Sequence, residues 1–213
     1  MLACRLVPDG KGGQRGMTID DFVAHPSARQ SLLTKAHVVA LRLYTTAAFR
    51  SINDPLRDRD RYENKLPHKH PVTVALLRDA LGKLRAVEAN QGSKGGFASP
   101  RVSPRELHLY RGMKDVRAPL EFLAQGGTEL APMSTTSSLA VAMKYSASRN
   151  AVLLRLVTDS FISRGPDISF LSAFPAEREF LFPPLTYLAP TGNVEKIAVG
   201  GASWDVVDVK PHL

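Results

Sequence analysis

The chain has 213 residues, 44% hydrophobic and 23% charged, a balance that excludes wholesale disorder and suits one domain of ordinary size. Its apolar runs fall short of the roughly 20 residues of a membrane helix, and the stretch Met1 to Gly16 predicts no secretory leader. Cys4 is the sole cysteine, which excludes an internal disulfide or a cysteine-built metal site, and the formal charge of +8 favours anionic partners.

Residues 1–16, rich in glycine and charge, read as a loose lead-in. Thr18-Ile19-Asp20-Asp21 offers a capping start, and the spacing of Leu32, Leu33, His37, Ala40 and Leu41 predicts helical structure from about Thr18 to Arg50. Pro55 and the charged run Arg57 to Arg61 predict an interruption. Leu76, Leu77, Leu81 and Leu84 share one face of a helix over Val72–Ala89, and Gln91-Gly92-Ser93-Lys94-Gly95-Gly96 predicts a clean break after it. Beyond that break Leu107 to Tyr110, Ala151 to Val157, Glu179 to Phe182, Lys196 to Val199 and Val206 to Val209 read as short strands. One brief helix is expected between them, from Ala140 to Tyr145. Helices followed by strands make the class α+β: a helical part over about 18–90 and a β-rich part over about 105–213, in a single domain spanning 1–213.

Three segments of the β-rich part stand out in order: Leu109-Tyr110-Arg111-Gly112, Ser134-Thr135-Thr136 and Glu177-Arg178-Glu179. Singly, each has an ordinary explanation: a salt bridge at a strand end, a Ser/Thr turn or cap, a solvated strand face. In this order they resemble the arginine–serine–glutamate signature of the cholera-toxin-like, arginine-specific mono-ADP-ribosyltransferases. The likeness extends along Ser134 to Tyr145, along Asp167 to Pro184, and upstream through Tyr44-Thr45, Ile52-Asn53 and Leu56-Arg57, so that it covers roughly residues 44–188. One departure is Thr136, where the family's Ser-Thr-Ser has its final serine.

The resemblance implies the ADP-ribosyltransferase fold, with two short antiparallel-rich sheets and NAD as substrate in the cleft between them and the helices. It implies that no metal is needed. A planar guanidinium at Arg111 suits the pyrophosphate, because it binds phosphate oxygens bidentately. Gly112, lacking a Cβ, lets its backbone approach the nicotinamide carboxamide. Ser134 is expected to position Glu179, which faces the positive charge that builds on the ribose as the glycosidic bond breaks. Glu177, two residues away on one strand face, is expected to orient the acceptor guanidine and take its proton; relatives with glutamine here tend to modify other acceptors. Tyr145 matches a position that stacks on nicotinamide, with helix core as its alternative. Arg149 matches a second phosphate-binding arginine, with an exposed charge as its alternative. Tyr44 and Asn53 either line the cleft or pack their helix, and Phe174 either meets the target protein or packs inward.

Other clusters carry less. His68-Lys69-His70 has no further ligand nearby, Gly92-Ser93-Lys94-Gly95 lacks the spacing of a phosphate loop and reads as a linker, and Arg57, Arg59 and Arg61 alternate with Asp58 and Asp60 as a solvated face. The expected partner is therefore a target protein with an accessible arginine, rather than nucleic acid or a membrane; these motifs leave the oligomeric state open. The location expected is the cytoplasm or delivery as an effector. Two rival functions stay open: an NAD glycohydrolase on the same fold, and a non-catalytic module that binds NAD or nucleic acid.

Overall fold

Thr18 opens the first helix by a reciprocal pair of bonds: its Oγ1 accepts from Asp21 N at 3.2 Å, and Asp21 Oδ2 accepts from Thr18 N at 2.6 Å. A computed structural model describes residues 14, 16–94, 107–148, 150–158, 160 and 162–213, without the side chains of 91–94. Cys4, Gly95, Gly96 and Arg149 lie outside the described residues. The helical stretch expected up to Arg50 divides into α1 (Ile19–Ala24), α2 (Pro26–Gln30) and α3 (Lys35–Tyr44), followed by α4 (Phe49–Arg57). Leu32 is not on the apolar stripe: it sits in the turn before α3 at φ 51 and is 77% exposed.

Pro55 does not interrupt, because it falls in the last turn of α4, where only one intrahelical bond is lost. The interruption falls inside the charged run, at Asp58, which ends α4 and caps α5 (Arg59–Glu63), a helix braced by an Arg59–Glu63 pair at 2.7 Å. The next helix, α6 (Pro71–Lys94), continues over Gln91–Lys94, the described part of the segment expected to end it. Leu77, Ala80, Leu81 and Leu84 of α6 are buried with Val38, Ala40 and Leu41 of α3.

The β-rich part follows as β1 (Leu107–Lys114), α7 (Leu120–Gln125), β2 (Gly127–Glu129), β3 (Met133–Thr136), α8 (Leu139–Ser146), β4 (Ala151–Thr158), β5 (Glu179–Phe182), β6 (Thr186–Val199) and β7 (Ala202–His212). The expected division into two sheets is not seen in the pairing, which forms one seven-stranded ladder in the order β2-β6-β7-β4-β1-β3-β5. The ladder is thinnest between β1 and β3, which share a single registered pair, Tyr110↔Thr136. All pairs are antiparallel except β4 with β7. Strand β4 is apolar along both faces because both are covered: Val152, Leu154 and Leu156 join one core, Ala151 and Leu153 another beneath α8.

Alternation along β5 decides where the chemistry sits. Phe182 points into the core shared with β1 and β4, whereas Leu181 packs with Ile168 and Leu171 against the helices. Glu179, two residues before Leu181, shares its face and so looks toward the helical part.

Candidate active site

Tyr44, Asn53, Arg111, Gly112, Ser134, Tyr145, Phe174, Glu177 and Glu179 all line one cleft of about 340 Å³ where the helices meet the sheet. Of the candidate site residues, Arg149 alone is not placed, being outside the described residues. Among the described residues no group of three or more His, Cys, Asp or Glu could hold a metal ion, and no helix is long and apolar enough to cross a membrane.

Glu179 lies at the base of this cleft, 8% exposed. Its Oε1 accepts from Ser134 Oγ at 2.7 Å and its Oε2 from Ser172 Oγ at 3.3 Å. Burial pushes its acid dissociation up to about 7; the Ser134 bond opposes this shift, Glu177 adds to it, Ser172 opposes it and Asp167 adds to it. Glu177 is not on the strand, as its two-residue spacing from Glu179 suggested. It ends a single 3-10 turn, Pro175–Glu177, and Arg178 at φ 49 reverses the chain before β5 begins. The two carboxylates reach one cleft through that turn, and they meet different surroundings: the hydroxyl of Tyr145 donates to Glu177 Oε1 at the exposed mouth. Tyr145 is 60% exposed, which removes its helix-core alternative, and the bond to Glu177 raises its own dissociation to about 12.

Thr136, the departure from Ser-Thr-Ser, has a use for its hydroxyl. It donates to the carbonyl of Glu177 and accepts from Ser138 N at 3.0 Å, so it fastens the glutamate turn to the start of α8.

Arg111 is 20% exposed and donates from Nη1 to Ser134 O at 3.2 Å. Burial lowers its proton affinity, yet a guanidinium stays charged at neutral pH. Its carboxylate neighbour, Glu129, is 3.8 Å away and already grips Arg57 through a fork of 2.9 and 3.0 Å. Tyr44 and Asn53 both line the cleft and pack their helices: Tyr44 Oη donates to Pro132 O at 2.7 Å, and Asn53 Nδ2 donates to Tyr44 Oη at 3.0 Å. Burial pushes the Tyr44 phenol up to about 12. Asn53 Oδ1 is buried with no partner among the described residues, which suits a donor arriving with a ligand.

Gly112 is required for a different reason from the one its sequence context suggests. A Cβ there would meet α8, overlapping the Ala142 carbonyl and lying 2.5 Å from Ser146 Oγ. The glycine lets α8 pack on β1; the backbone it presents to the cleft follows from that. Phe174 is 41% exposed and lines the cleft.

Sequence reasoning missed Ser172 and Glu129. Ser172 sits in an apolar run with no spacing signal of its own, and Glu129 lies in a three-residue strand too short to show alternation. Also unforeseen was the anchoring of the loop before Glu177: buried Arg42 stacks 4.1 Å from the Phe22 ring and donates to Leu171 O at 2.8 Å, and Thr45 Oγ1 accepts from Ala173 N at 3.1 Å.

Comparison with known proteins shows the family and the fold. A family model described as NAD:arginine ADP-ribosyltransferase matches residues 23–199. The fold is similar to that of the ADP-ribosyltransferase HopU1 of Pseudomonas syringae pv. Tomato DC3000, at 21% identity, TM-score 0.59, covering 92% of this chain and 89% of that one. It is similar as well to the ADP-ribosyltransferase Vis, solved with agmatine, at 19% identity and TM-score 0.58, covering 90% and 82% of the two chains. Plx2a, an ADP-ribosyltransferase toxin from Paenibacillus larvae, aligns at 16% identity and TM-score 0.57, covering 92% and 95%. No curated protein matches the sequence. Since the family model spans most of its length, the chain belongs to the NAD:arginine ADP-ribosyltransferase family, whose members use NAD as the donor of ADP-ribose.

Proposed function

We propose that this chain is a mono-ADP-ribosyltransferase that cleaves NAD at the nicotinamide–ribose bond and transfers ADP-ribose to an arginine of a target protein. The observation that carries this reading is the unequal setting of two carboxylates at one turn. Glu179 is buried and held by two hydroxyls, whereas Glu177 stands at the mouth beside Tyr145 and Phe174. Environment thus divides their roles.

The residues present fit NAD. Arg111 shares its carboxylate neighbour, Glu129 at 3.8 Å, with the tighter fork from Arg57 and suits the pyrophosphate, while Asn53 Oδ1 offers an unsatisfied acceptor at the wall. The Gly112 backbone and the exposed Tyr145 ring suit the nicotinamide; Arg149, outside the described residues, is the second phosphate-binding cation that the family resemblance implies. As the glycosidic bond weakens, positive charge grows on the ribose. An ionised Glu179 in a poorly solvated pocket stabilises that charge, acting through the ribose 2′-hydroxyl. Ser134 keeps the carboxylate aimed. Glu177 then orients the incoming guanidine and takes its proton, with Phe174 as the contact for the target surface. No step calls for a metal.

The test is to replace each glutamate by glutamine and follow nicotinamide release with and without agmatine as a guanidine acceptor. Glu179→Gln should lose both hydrolysis and transfer. Glu177→Gln should lose transfer and keep appreciable hydrolysis. Equal behaviour of the two variants, or wild-type arginine modification by Glu177→Gln, refutes the division of labour and with it arginine as the acceptor.

A further inference from the structure

The arginine–serine–glutamate signature supplies one hydroxyl for Glu179, that of Ser134, but the carboxylate has two oxygens. Ser172 serves the other. Its side chain is 1% exposed and lies behind Glu179, outside the lining of the cleft. The amide of Phe174 donates to Ser172 Oγ at 3.1 Å, and Ser172 Oγ donates to Glu179 Oε2 at 3.3 Å. A hydroxyl has a single proton and rotates to suit its neighbours. With the Phe174 amide on one of its lone pairs and the carboxylate accepting opposite, the Ser172 proton is turned toward Glu179.

The mount beneath this hydroxyl is secured at successive residues. Leu171 O takes the bond from Arg42, Ser172 N donates to Ile168 O at 3.0 Å, and Ala173 N donates to Thr45 Oγ1 at 3.1 Å. We infer that Ser172 is a positioning residue for Glu179, holding the second carboxylate oxygen and tying it to the Phe174 end of the glutamate loop. The inference rests on the assignment of Glu179 to the ribose charge.

A donor to the ionised form favours that form, so removing it makes Glu179 harder to ionise. The ionisable groups facing Glu179 are Glu177 and Asp167 from its own loop, Tyr44 from α3 and Tyr145 from α8. Both tyrosines are pushed up to about 12 and stay protonated across the acid limb. None of these groups is altered by a change at Ser172.

The experiment measures NAD hydrolysis without acceptor as a function of pH, for the full chain and for Ser172→Ala. The acid limb should move upward by roughly one pH unit and kcat should fall about tenfold, as expected for one lost bond to a charged group. KM for NAD should hold within about twofold, because Ser172 does not line the cleft. A merely structural role would lower the melting temperature and leave the limb in place; a folded Ser172→Ala with an unmoved limb overturns the inference. Should that variant fail to fold, Ser172→Cys keeps the volume with a weaker donor and is judged by the same limb. Glu179→Gln is run beside them. Retained hydrolysis in that variant overturns the role of Glu179 and this inference together, whereas its loss beside an unmoved Ser172 limb overturns the inference alone.

Discussion

Gly112→Ala adds one methyl group to β1, and its cost follows from what stands opposite. The new Cβ would overlap the Ala142 carbonyl, lie 2.5 Å from Ser146 Oγ and 2.7 Å from Ser146 Cβ. None of these is the free end of a flexible side chain. The carbonyl is backbone, and Ser146 Oγ is committed, donating to Ala142 O at 2.8 Å and accepting from Trp204 Nε1 at 3.0 Å. Helix α8 must therefore back away from the sheet, stretching the Trp204 bond and loosening Ala142 from Leu153 and Val206. Overpacking of this kind costs about 1–3 kcal/mol, and in a chain of this size each kcal/mol lowers Tm by roughly 2–4 °C. A fall of about 2–12 °C is expected by scanning calorimetry. The shift also carries Tyr145 away from Glu177, so transfer to agmatine should fall further than hydrolysis of NAD. Adding Ser146→Gly should recover little, because the Ala142 carbonyl stays in the way. A Gly112→Ala variant with Tm within one degree of the parent would falsify the steric argument.

Arg111→Ala should leave the fold intact and weaken NAD binding about ten- to hundredfold, the loss of one charge-assisted contact; normal binding in a titration calorimeter would return Arg111 to a structural role. Glu179, pushed up to about 7 by burial, binds its proton more tightly folded than unfolded. Its contribution to stability is thus present below about pH 4.5 and lost as pH rises through about 7, a shift worth on the order of 3 kcal/mol. Burial moves Glu88 the same way. Melting temperatures measured from pH 4.5 to 8 should fall across this window, less steeply in Glu179→Gln, and an identical slope in both proteins would contradict the assignment. Deleting residues 1–90 should give an insoluble or inactive product, since Leu77, Leu81 and Leu84 share their core with Ile168, Leu171 and Leu181; a soluble, active remainder would show the helices to be a separate domain.

Local chemistry wrote much of this protein in plain view. The Thr18 cap, the leucine face of α6 and the β-rich, mostly apolar run of β4 depend on neighbours close in sequence, and each appears where the pattern put it. The signature residues were legible for a related reason: their types and order are dictated by the charges of NAD and of its cleavage, so they stand out against an ordinary background. Helix ends were less legible. Whether Pro55 or Gly92 stops a helix depends on where the proline falls in the last turn and on what covers the helix, neither of which is a property of the residue. The site's support was not legible at all. Ser172 meets Glu179 across a turn and Arg42 reaches Leu171 across 129 positions of chain. Glu129 meets Arg57 across 72 positions, and Gly112 is a glycine because of α8. Those contacts join residues with no periodic relation, so only the closing of the sheet against the helices could bring them within hydrogen-bond reach.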